Sequence, residues 1–259
     1  MAPILLNLGC GSRVHPAWQN FDLTAAAPGV RVLDIRGPLP FPDASADAVY
    51  HSHVLEHLDP HTGARFVAEC RRVLRPGGVL RIAVPDLEMI CREYLRALDA
   101  AAGGGADAVD EHAWMTIELV DQCTRVTPGG EMLRWWTAAK VPAESLVRRR
   151  MGNEFGRFRQ WFDAETQRAG ARPAWADAPP VTPSVEQESQ FRRQGEIHRW
   201  MYDRVSLAAL LRRVGFEAER ITVVGASASA IEGWKTFELD ADASGNVHKP
   251  DSVFVEAVR

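Results

Sequence analysis

The amino-acid sequence predicts an α/β fold, built as a doubly wound and mostly parallel sheet with a helical insertion. In the first third of the 259-residue chain, short and nearly continuous apolar runs alternate with turns and one amphipathic helix. Helical patterns fill the middle of the chain, and strand and helix patterns return at its end. This alternation is typical of strand–helix–strand units whose strands are covered on both faces.

The individual elements can be assigned from the residue pattern in chain order. Short apolar runs predict the first strands at residues 3–8, 20–23, 30–35 and 47–52. Apolar residues spaced three and four apart predict a helix over 61–74, which Pro76 and the glycines after it end. A fifth strand is expected at 79–84. At the chain end we expect a helix over 205–214 and strands at 218–224 and 252–258.

The middle of the chain differs in character from both ends. It contains helical stretches rich in Trp and Arg, and it is too long for a simple crossover between two strands. We therefore expect an inserted helical cap that binds substrate. The predicted division is a first part of the core at 1–87, the cap at 88–197 and the last part of the core at 198–259.

Composition disfavours several classes of protein. The formal net charge of -4 and the pI of about 6.1 argue against a nucleic-acid partner bound through bulk positive charge. No apolar run approaches the roughly 18 to 20 residues of a membrane span, and the N-terminus lacks a signal-peptide pattern. The four cysteines show no metal-ligand spacing. We expect a cytoplasmic protein with no transmembrane segment and no metal; its oligomeric state stays open, a homodimer included.

A glycine turn comes after the first predicted strand. Asn7, Gly9, Cys10 and Gly11 lie in the run NLGCG, where the absence of Cβ atoms lets a cofactor approach the backbone closely. A tight turn that binds nothing would show the same residues. The glycines therefore indicate a cofactor only in combination with residues further along the chain.

Two aspartates end the next two predicted strands. If the sheet is parallel, Asp22 lies beside the glycine turn, where its carboxylate can accept hydrogen bonds from both hydroxyls of a ribose. Asp34 ends the third strand and can accept a hydrogen bond from an adenine amino group. Each aspartate is also compatible with an ordinary turn or cap position.

Several motifs occur in a characteristic order. They are LNLGCG at 6–11, the aspartate of strand two, LPFPDASADAV at 39–49, VLEHL at 54–58 and VLRPGGVLRI at 73–82. Together they resemble the class I S-adenosylmethionine-dependent methyltransferases, of the type 11-like group. Within that class the sequence is most similar to small methyltransferases of polysaccharide and surface-sugar biosynthesis. The resemblance covers about residues 4–87 and returns at HRWMYDRVSLAALLRRVGF, residues 198–216.

The resemblance implies a fold, a cofactor and a set of site residues. The fold is a Rossmann-like, doubly wound sheet of seven strands, mostly parallel with the last strand antiparallel. The cofactor is S-adenosylmethionine, which leaves as S-adenosylhomocysteine. The implied cofactor contacts are Asn7, Gly9, Cys10 and Gly11 at the methionine part, Asp22 and Leu23 at the ribose, Asp34 and Ile35 at the adenine, and Ser52 and His53 beside the sulfonium and the substrate.

Three features depart from the family pattern. Asn7 stands where the family has an acid, and Arg13 stands where it has a third glycine. The gap between Gly11 and the second strand is also too short for the usual first helix. These departures leave open whether the cofactor is held more openly, or whether Arg13 or Trp18 covers it.

A competing motif lies in the same region. His53 to His57 reads HVLEH, which matches the inverted zinc-protease signature HxxEH. That chemistry needs both histidines on one face of a continuous helix. Here the segment leaves a strand and Pro60 comes shortly after it, so the helical context is poor. We expect no metal site.

Methyl transfer to a hydroxyl requires a group that removes its proton. Histidine is the side chain best suited to this near neutral pH. His53, at the tip of strand four, is the first candidate; Asp86, after strand five, is the second and His198 the third. Each could instead be a helix cap or a structural histidine.

The last sequence signal is a set of basic and aromatic residues that suits an anionic acceptor. The candidate substrate contacts are Arg148, Arg149, Arg199, Trp200 and Tyr202. A solvated helix face is the alternative explanation of the arginines. We predict O-methylation of a sugar-containing acceptor, such as a nucleotide-sugar, a lipid-linked sugar or a glycan. The alternatives are N-methylation, a small natural-product acceptor, or a partner protein that binds the cofactor without catalysis.

Overall fold

The computed structural model describes residues 2–25, 27–179 and 181–259. Its strands are β1 Leu5–Leu8, β2 Gln19–Asp22, β3 Val30–Val32, β4 Ala46–Ser52, β5 Leu74–Pro85, β6 Ile221–Val224 and β7 Ser252–Val258. Its helices are α1 Pro60–Val73, α2 Leu87–Ala102, α3 Ala108–Thr124, α4 Gly130–Thr137, α5 Glu144–Ala169, α6 Val185–Arg193, α7 Arg204–Arg213 and α8 Trp234–Phe237. Two compact units result. The first holds Met1–Asp86, Arg199–Val247 and Ser252–Arg259; the second holds Leu87–His198 and His248–Asp251.

The first unit is built on a seven-stranded sheet with the order β3-β2-β1-β4-β5-β7-β6. Strands β1 to β5 pair in parallel, whereas β7 runs antiparallel to both β5 and β6. The predicted Rossmann-like topology, mostly parallel with an antiparallel last strand, is confirmed. Because Ser252 pairs with Pro85, the first residue of β7 lies at the edge where the parallel strands end.

Three predicted strands differ from the structure by three or more residues at one end. The third stops at Val32, and the N–H of Leu33 makes a further bond to β2, at the carbonyl of Asp22. The fifth begins at Leu74, before its glycines, because Gly77 and Gly78 exchange backbone hydrogen bonds with the chain end at Arg259. The segment predicted as a strand from 218 begins as a 3₁₀ turn, so β6 is short.

One face of the sheet is covered by α1 and α7. Pro60 begins α1, and the Asp59 carboxylate caps it by accepting N–H groups of the first turn. The buried face of α1 lies on alternate residues of the central strands. The buried residues of the two helices in this core are Phe66, Val67, Cys70, Val73, Leu207, Leu210 and Leu211.

The other face lacks the helix that usually connects the first two strands. As the short gap predicts, residues 9–18 form turns instead. Trp18 fills this space, 3% exposed and edge-on to Tyr50 and Trp234. The connection between β6 and β7 completes the cover with Ile231, Trp234 and Leu239. The idea that Trp18 covers a cofactor is therefore wrong, because its ring belongs to the core.

A buried ion cluster ties this connection to the sheet. The Arg81 side chain on β5 is 0% exposed and donates to Asp240 and Glu256, both at 2.8 Å. It also donates to three main-chain carbonyls, those of Gly225, Ala226 and Ala228. The guanidinium carbon lies 4.2 Å from the ring centroid of Trp234. A charge this deeply buried is tolerated because the guanidinium meets acceptors on several sides.

The second unit consists of α2 to α6 with the segment His248–Asp251. Helix α5 is kinked at Gly152, where φ is +53° and a Cβ atom would come 2.5 Å from the Pro250 ring. Arg150 on α5 and Glu118 on α3 form a buried ion pair. Within the described residues, no helix is both long and apolar enough to cross a membrane.

His51 on β4 makes the stability of the protein sensitive to acid. Its side chain is buried against Phe66, and neither ring nitrogen has a hydrogen-bond partner among the described residues. Burial lowers the pKa of His51 from 6.5 to about 3. Below pH 6.5 the unfolded chain therefore takes up a proton that the folded protein does not, and the folded state loses stability as the pH falls.

We expect His51→Leu to remove this acid sensitivity. When the pH is lowered from 7.5 to 4.5, the parent should lose about 2–3 kcal/mol more unfolding free energy than the variant. This value corresponds to roughly 1.4 kcal/mol for each pH unit below 6.5. Urea unfolding at both pH values measures it. His61→Leu, at an exposed position, is the control and should give no such change. Parallel stability curves for parent and His51→Leu would contradict the assignment.

Candidate cofactor and catalytic site

The glycine turn after β1 has the open backbone that a cofactor loop needs. Gly9 and Gly11 adopt φ values of +70° and +51°, in the left-handed region that favours glycine. A Cβ atom on Gly9 would lie 2.3 Å from Cγ2 of Val54, whereas one on Gly11 would meet nothing within 4 Å. The backbone at Gly11 therefore borders free space that a ligand can fill.

Asp22 holds this turn in place. Its Oδ2 accepts the N–H of Gly11 at 2.7 Å, and its Oδ1 lies 3.5 Å from the N–H of Thr24. The N–H groups of Gly9 and Cys10 both reach the carbonyl of Phe21 in β2. The half-buried carboxylate thus lies next to the glycine turn, where the sequence predicted it. Leu23, the next residue, is largely exposed.

Asn7 holds the glycine turn in place through hydrogen bonds of its side chain. It is 1% exposed, and its Nδ2 donates to the Arg13 carbonyl at 2.9 Å and to Asn20 Oδ1 at 3.0 Å. An ionised acid could donate neither bond, which explains the amide at this position. The structure thus gives Asn7 a loop-positioning role, with no exposed face toward a ligand.

The thiol of Cys10 is also enclosed. Burial and the nearby Asp22 carboxylate raise its pKa to about 11, so the thiol stays neutral. At 6% exposure it offers little surface to a ligand. Cys10 therefore contributes through its backbone, within the glycine turn.

Asp34 lies two residues beyond the end of β3 and is exposed. Arg36 grips both of its carboxylate oxygens, at 2.6 to 3.1 Å. This guanidinium, together with the Arg36 N–H, holds the pKa of Asp34 below its usual value. The carboxylate is therefore charged, but a ligand donor would have to share it with Arg36. Ile35 is half-buried against the core.

The tip of β4 lies beside the glycine turn. Ser52 ends the strand, and the side chain of Val54 contacts Gly9. His53 has a φ of +54°, an uncommon conformation for a residue with a side chain and one that concentrates at functional sites. Its backbone N–H is bound by the Ala83 carbonyl in β5 at 2.9 Å.

The His53 imidazole is held between two oxygen-bearing side chains. Its Nε2 forms a hydrogen bond with Ser252 Oγ at 2.7 Å, and its Nδ1 lies 3.3 Å from Glu56 Oε1. The Glu56 side chain is 0% exposed. Sequence analysis missed Ser252, which is 199 positions away. The Glu56 signal is visible in the sequence as the spacing His-x-x-Glu, which the sequence analysis interprets as part of a metal motif and of the family motif VLEHL.

The HVLEH segment does not form the continuous helix that a zinc protease needs. Only Leu55–His57 is helical, as a 3₁₀ turn, and Leu58 after it is extended. The spacing of one helical turn that would place both histidines on one face is absent from this segment. The segment therefore does not form the helical arrangement of the inverted zinc-protease motif.

The other predicted catalytic residues fall in different places. Asp86 directly follows β5 and pairs in parallel with Tyr202, so it lies at the same edge of the sheet as His53. His198 belongs to the second unit, where it is buried and donates its backbone N–H to the Gln122 carbonyl.

The predicted substrate contacts in the first unit are unequal. Arg199 and Trp200 both donate backbone N–H groups to the Glu56 carbonyl, at 2.7 and 3.2 Å. The Trp200 side chain is half exposed and lies outside the core. Tyr202 is 4% exposed, and burial together with Glu56 raises its pKa to about 12. Tyr202 is therefore a core residue, and its prediction as a substrate contact finds no support.

In the second unit, Arg148 and Arg149 are already paired with acids. Arg148 bonds Glu144 one turn earlier in α5, and Arg149 bonds Glu93 on α2 at 3.1 Å. Both side chains are more than half exposed. An anionic acceptor would have to compete with these carboxylates, so the solvated-face explanation gains weight for both arginines.

Comparison with known proteins gives matches over part of this chain. Residues 13–82 match a family model described as a methyltransferase domain. A probable S-adenosylmethionine-dependent methyltransferase of Mycolicibacterium smegmatis is 54% identical over 58 residues, 21% of this chain and 22% of that protein. One of Mycobacterium tuberculosis, described in the same words, is 43% identical over 74 residues, 26% of each chain.

Among solved structures, a complex of the Haloferax volcanii Trm112 methyltransferase activator with a methyltransferase is similar at a TM-score of 0.40. It is 13% identical and covers 99% of this chain and 82% of that chain. The similarity to the mycobacterial relatives spans only about a quarter of their length. The residues matched by the family model include the strand-two aspartate and the β4 tip. Residues 13–82 of the chain are thus similar to a methyltransferase domain, and the relatives that align with part of the chain are described as S-adenosylmethionine-dependent methyltransferases.

Proposed function

We propose that this protein transfers the methyl group of S-adenosylmethionine to a hydroxyl of a sugar-containing acceptor. The observation that carries the proposal is the position of His53. A histidine oriented by a buried carboxylate lies next to the glycine turn, at the edge of the sheet where parallel α/β folds bind ligands. A hydroxyl acceptor requires such a base, because it must lose its proton as the methyl group arrives.

The residues at the glycine turn suit S-adenosylmethionine. Gly11 borders open space, so its backbone can lie against the methionine part of the cofactor. The Asp22 Oδ1 lies 3.5 Å from the Thr24 N–H, a long contact, and this oxygen suits a ribose hydroxyl. Asp34 is charged and exposed for the adenine edge. When bound, the cofactor supplies an electrophilic methyl group on a sulfonium.

His53 would act on the acceptor. Glu56 lies at Nδ1 and favours a proton on that nitrogen, which leaves Nε2 unprotonated and able to accept one. The left-handed backbone conformation of His53 and the hydrogen bond from its N–H to the Ala83 carbonyl fix the backbone from which the imidazole projects. Because Nε2 is hydrogen-bonded to Ser252 Oγ, the acceptor hydroxyl would take the place of this serine before it passes its proton to His53. Asp86 at the same edge stays the second candidate.

The sugar-containing acceptor is suggested by the sequence resemblance to methyltransferases of surface-sugar biosynthesis. The half-exposed indole of Trp200, whose backbone binds Glu56, offers a flat apolar surface for a sugar ring. Arg199 beside it would bind a phosphate or carboxylate of the acceptor. We assign the substrate-binding cap to residues 88–197.

A labelled-methyl screen tests the proposal. The purified protein is incubated with methyl-labelled S-adenosylmethionine and three panels: nucleotide-sugars, glycans with lipid-linked sugars, and amino sugars with small natural products. Label on a sugar hydroxyl supports the proposal. Label on nitrogen, or on an acceptor without a sugar, contradicts the acceptor assignment. Cofactor binding without transfer to any panel would favour the non-catalytic alternative.

We expect Asp22→Ala to weaken S-adenosylhomocysteine binding at least about tenfold. The loss of one hydrogen bond to a charged group, about 1.5–3 kcal/mol, predicts this size. The substitution also removes the acceptor of the Gly11 N–H, which should loosen the glycine turn and weaken binding further. Calorimetric titration measures the affinity, with Asp43→Ala as a matched acidic control in the exposed loop before β4. An unchanged affinity in Asp22→Ala would disprove the ribose assignment.

A further inference from the structure

We propose that Ser252 is a nucleophilic hydroxyl, activated by His53 and Glu56, and that it accepts an acyl group from a small activated ester. This activity is separate from methyl transfer and does not depend on it. The proposal starts from three side chains of the first unit that form one continuous array. They come from the start of β7, the tip of β4 and the 3₁₀ turn after it.

The distances have the order that an activated serine needs. Ser252 Oγ is hydrogen-bonded to His53 Nε2 at 2.7 Å, and His53 Nδ1 lies 3.3 Å from Glu56 Oε1. A nucleophile within hydrogen-bond reach of a base, with a third group orienting that base, is the arrangement shared by unrelated serine hydrolases. It is recognised by geometry and not by position in the sequence.

The surroundings hold the array rigid and shield its base. The Glu56 side chain is 0% exposed and that of His53 only 11%. The Glu56 carbonyl accepts N–H groups from Arg199 and Trp200, which fixes the turn that carries the carboxylate. Water therefore competes weakly for the imidazole, and its orientation costs little at the moment of reaction.

Ser252 is placed where an electrophile can reach it. It is half-buried, in contrast to the enclosed glutamate, and it begins β7 at the ligand-binding edge of the sheet. Its partner across the strands is Pro85, and the ladder from Pro85 to Val79 holds β7 in register. The serine oxygen is thus both fixed and accessible.

The reaction needs only these side chains, a small activated ester and water. Ser252 Oγ forms a bond to the carbonyl carbon while its proton passes to His53 Nε2. The bond from that carbon to the leaving alcohol oxygen breaks, and the alcohol takes the proton from Nε2. Water then attacks the acyl-serine by the same route, which releases the carboxylic acid and restores the serine.

Diisopropyl fluorophosphate and p-nitrophenyl acetate test this proposal. The first should leave one diisopropylphosphoryl group, and peptide mass mapping should place it on Ser252. The labelling rate should fall at least about a hundredfold in His53→Asn, since a general base contributes that much. Ser252→Ala should lose the label and the p-nitrophenol burst, while Ser45→Ala, at a partly exposed serine bonded to the Pro42 carbonyl, should keep both.

Two results would overturn the proposal: no modification of Ser252, or equal rates in the parent and in His53→Asn. Calorimetric binding of S-adenosylhomocysteine and the thermal midpoint are measured on every variant, which separates loss of fold from loss of reactivity. Binding of the cofactor product with an unreactive Ser252 would refute this inference alone. A labelled Ser252 without cofactor binding would instead count against the proposed function.

Discussion

Arg81→Met should lower the free energy of unfolding by about 3–5 kcal/mol, the usual cost of removing one partner from a buried ion pair. Arg81 is 0% exposed and neutralises Asp240 and Glu256 at 2.8 Å. Without it, two buried carboxylates lose the positive charge between them and keep only neutral donors such as the Tyr50 hydroxyl and the Ala230 N–H. Because Asp240 belongs to the connection that replaces the missing first helix, the loss should be felt across that whole face of the sheet.

Urea unfolding of the parent and of Arg81→Met measures this difference. Arg75→Met is the matched control, because Arg75 forms an ion pair with Asp47 but is half exposed. Exposed pairs of this kind contribute about 0–1 kcal/mol. Adding Asp240→Asn and Glu256→Gln to the Arg81 variant should recover part of the stability. A loss below about 1 kcal/mol for Arg81→Met would contradict a structural role for the cluster.

His53→Asn should reduce methyl transfer about 100- to 10,000-fold, the range of a lost general base. Asparagine suits the test because it tolerates the left-handed backbone that this position requires, with φ at +54°. It cannot supply the unprotonated ring nitrogen. We expect S-adenosylhomocysteine affinity to stay within about threefold, since the ring is assigned to the acceptor and not to the cofactor.

The rate is measured with the acceptor that the labelled-methyl screen identifies. His61→Asn, an exposed histidine on α1, serves as the control and should transfer at the parent rate. If His53→Asn keeps at least about a third of the parent rate, His53 is not the base. Asp86→Asn would then be tested next, because Asp86 lies at the same edge of the sheet.

The local features of the fold could be predicted from the sequence because neighbouring residues determine them. The run from Asn7 to Gly11 predicted the turn after β1, and the acid at the end of the second predicted strand indicated the contact between Asp22 and Gly11. The short gap after Gly11 correctly predicted that no helix joins β1 to β2. Strand ends were less predictable, because they depend on backbone partners that are distant in the sequence, such as Arg259 for Gly77 and Gly78.

The features that were missed depend on residues far apart in the sequence. Ser252 meets His53 across 199 positions, and only the antiparallel placement of β7 beside β5 brings them together. Arg81 gave no sign in the sequence of its partner Asp240, 159 positions later. Trp18 was considered as a cofactor cover because nothing local showed that the connection between β6 and β7 would enclose it.

We expect this chain to bind S-adenosylmethionine at the turn between Gly9 and Asp22. Calorimetric titration of the metal-free protein with S-adenosylhomocysteine measures this binding. We expect one-to-one binding with a micromolar dissociation constant, weakened at least about tenfold by Asp22→Ala. No heat of binding at millimolar ligand would contradict this expectation. It would mean that the departures from the family pattern at Asn7, at Arg13 and in the missing first helix abolish cofactor binding.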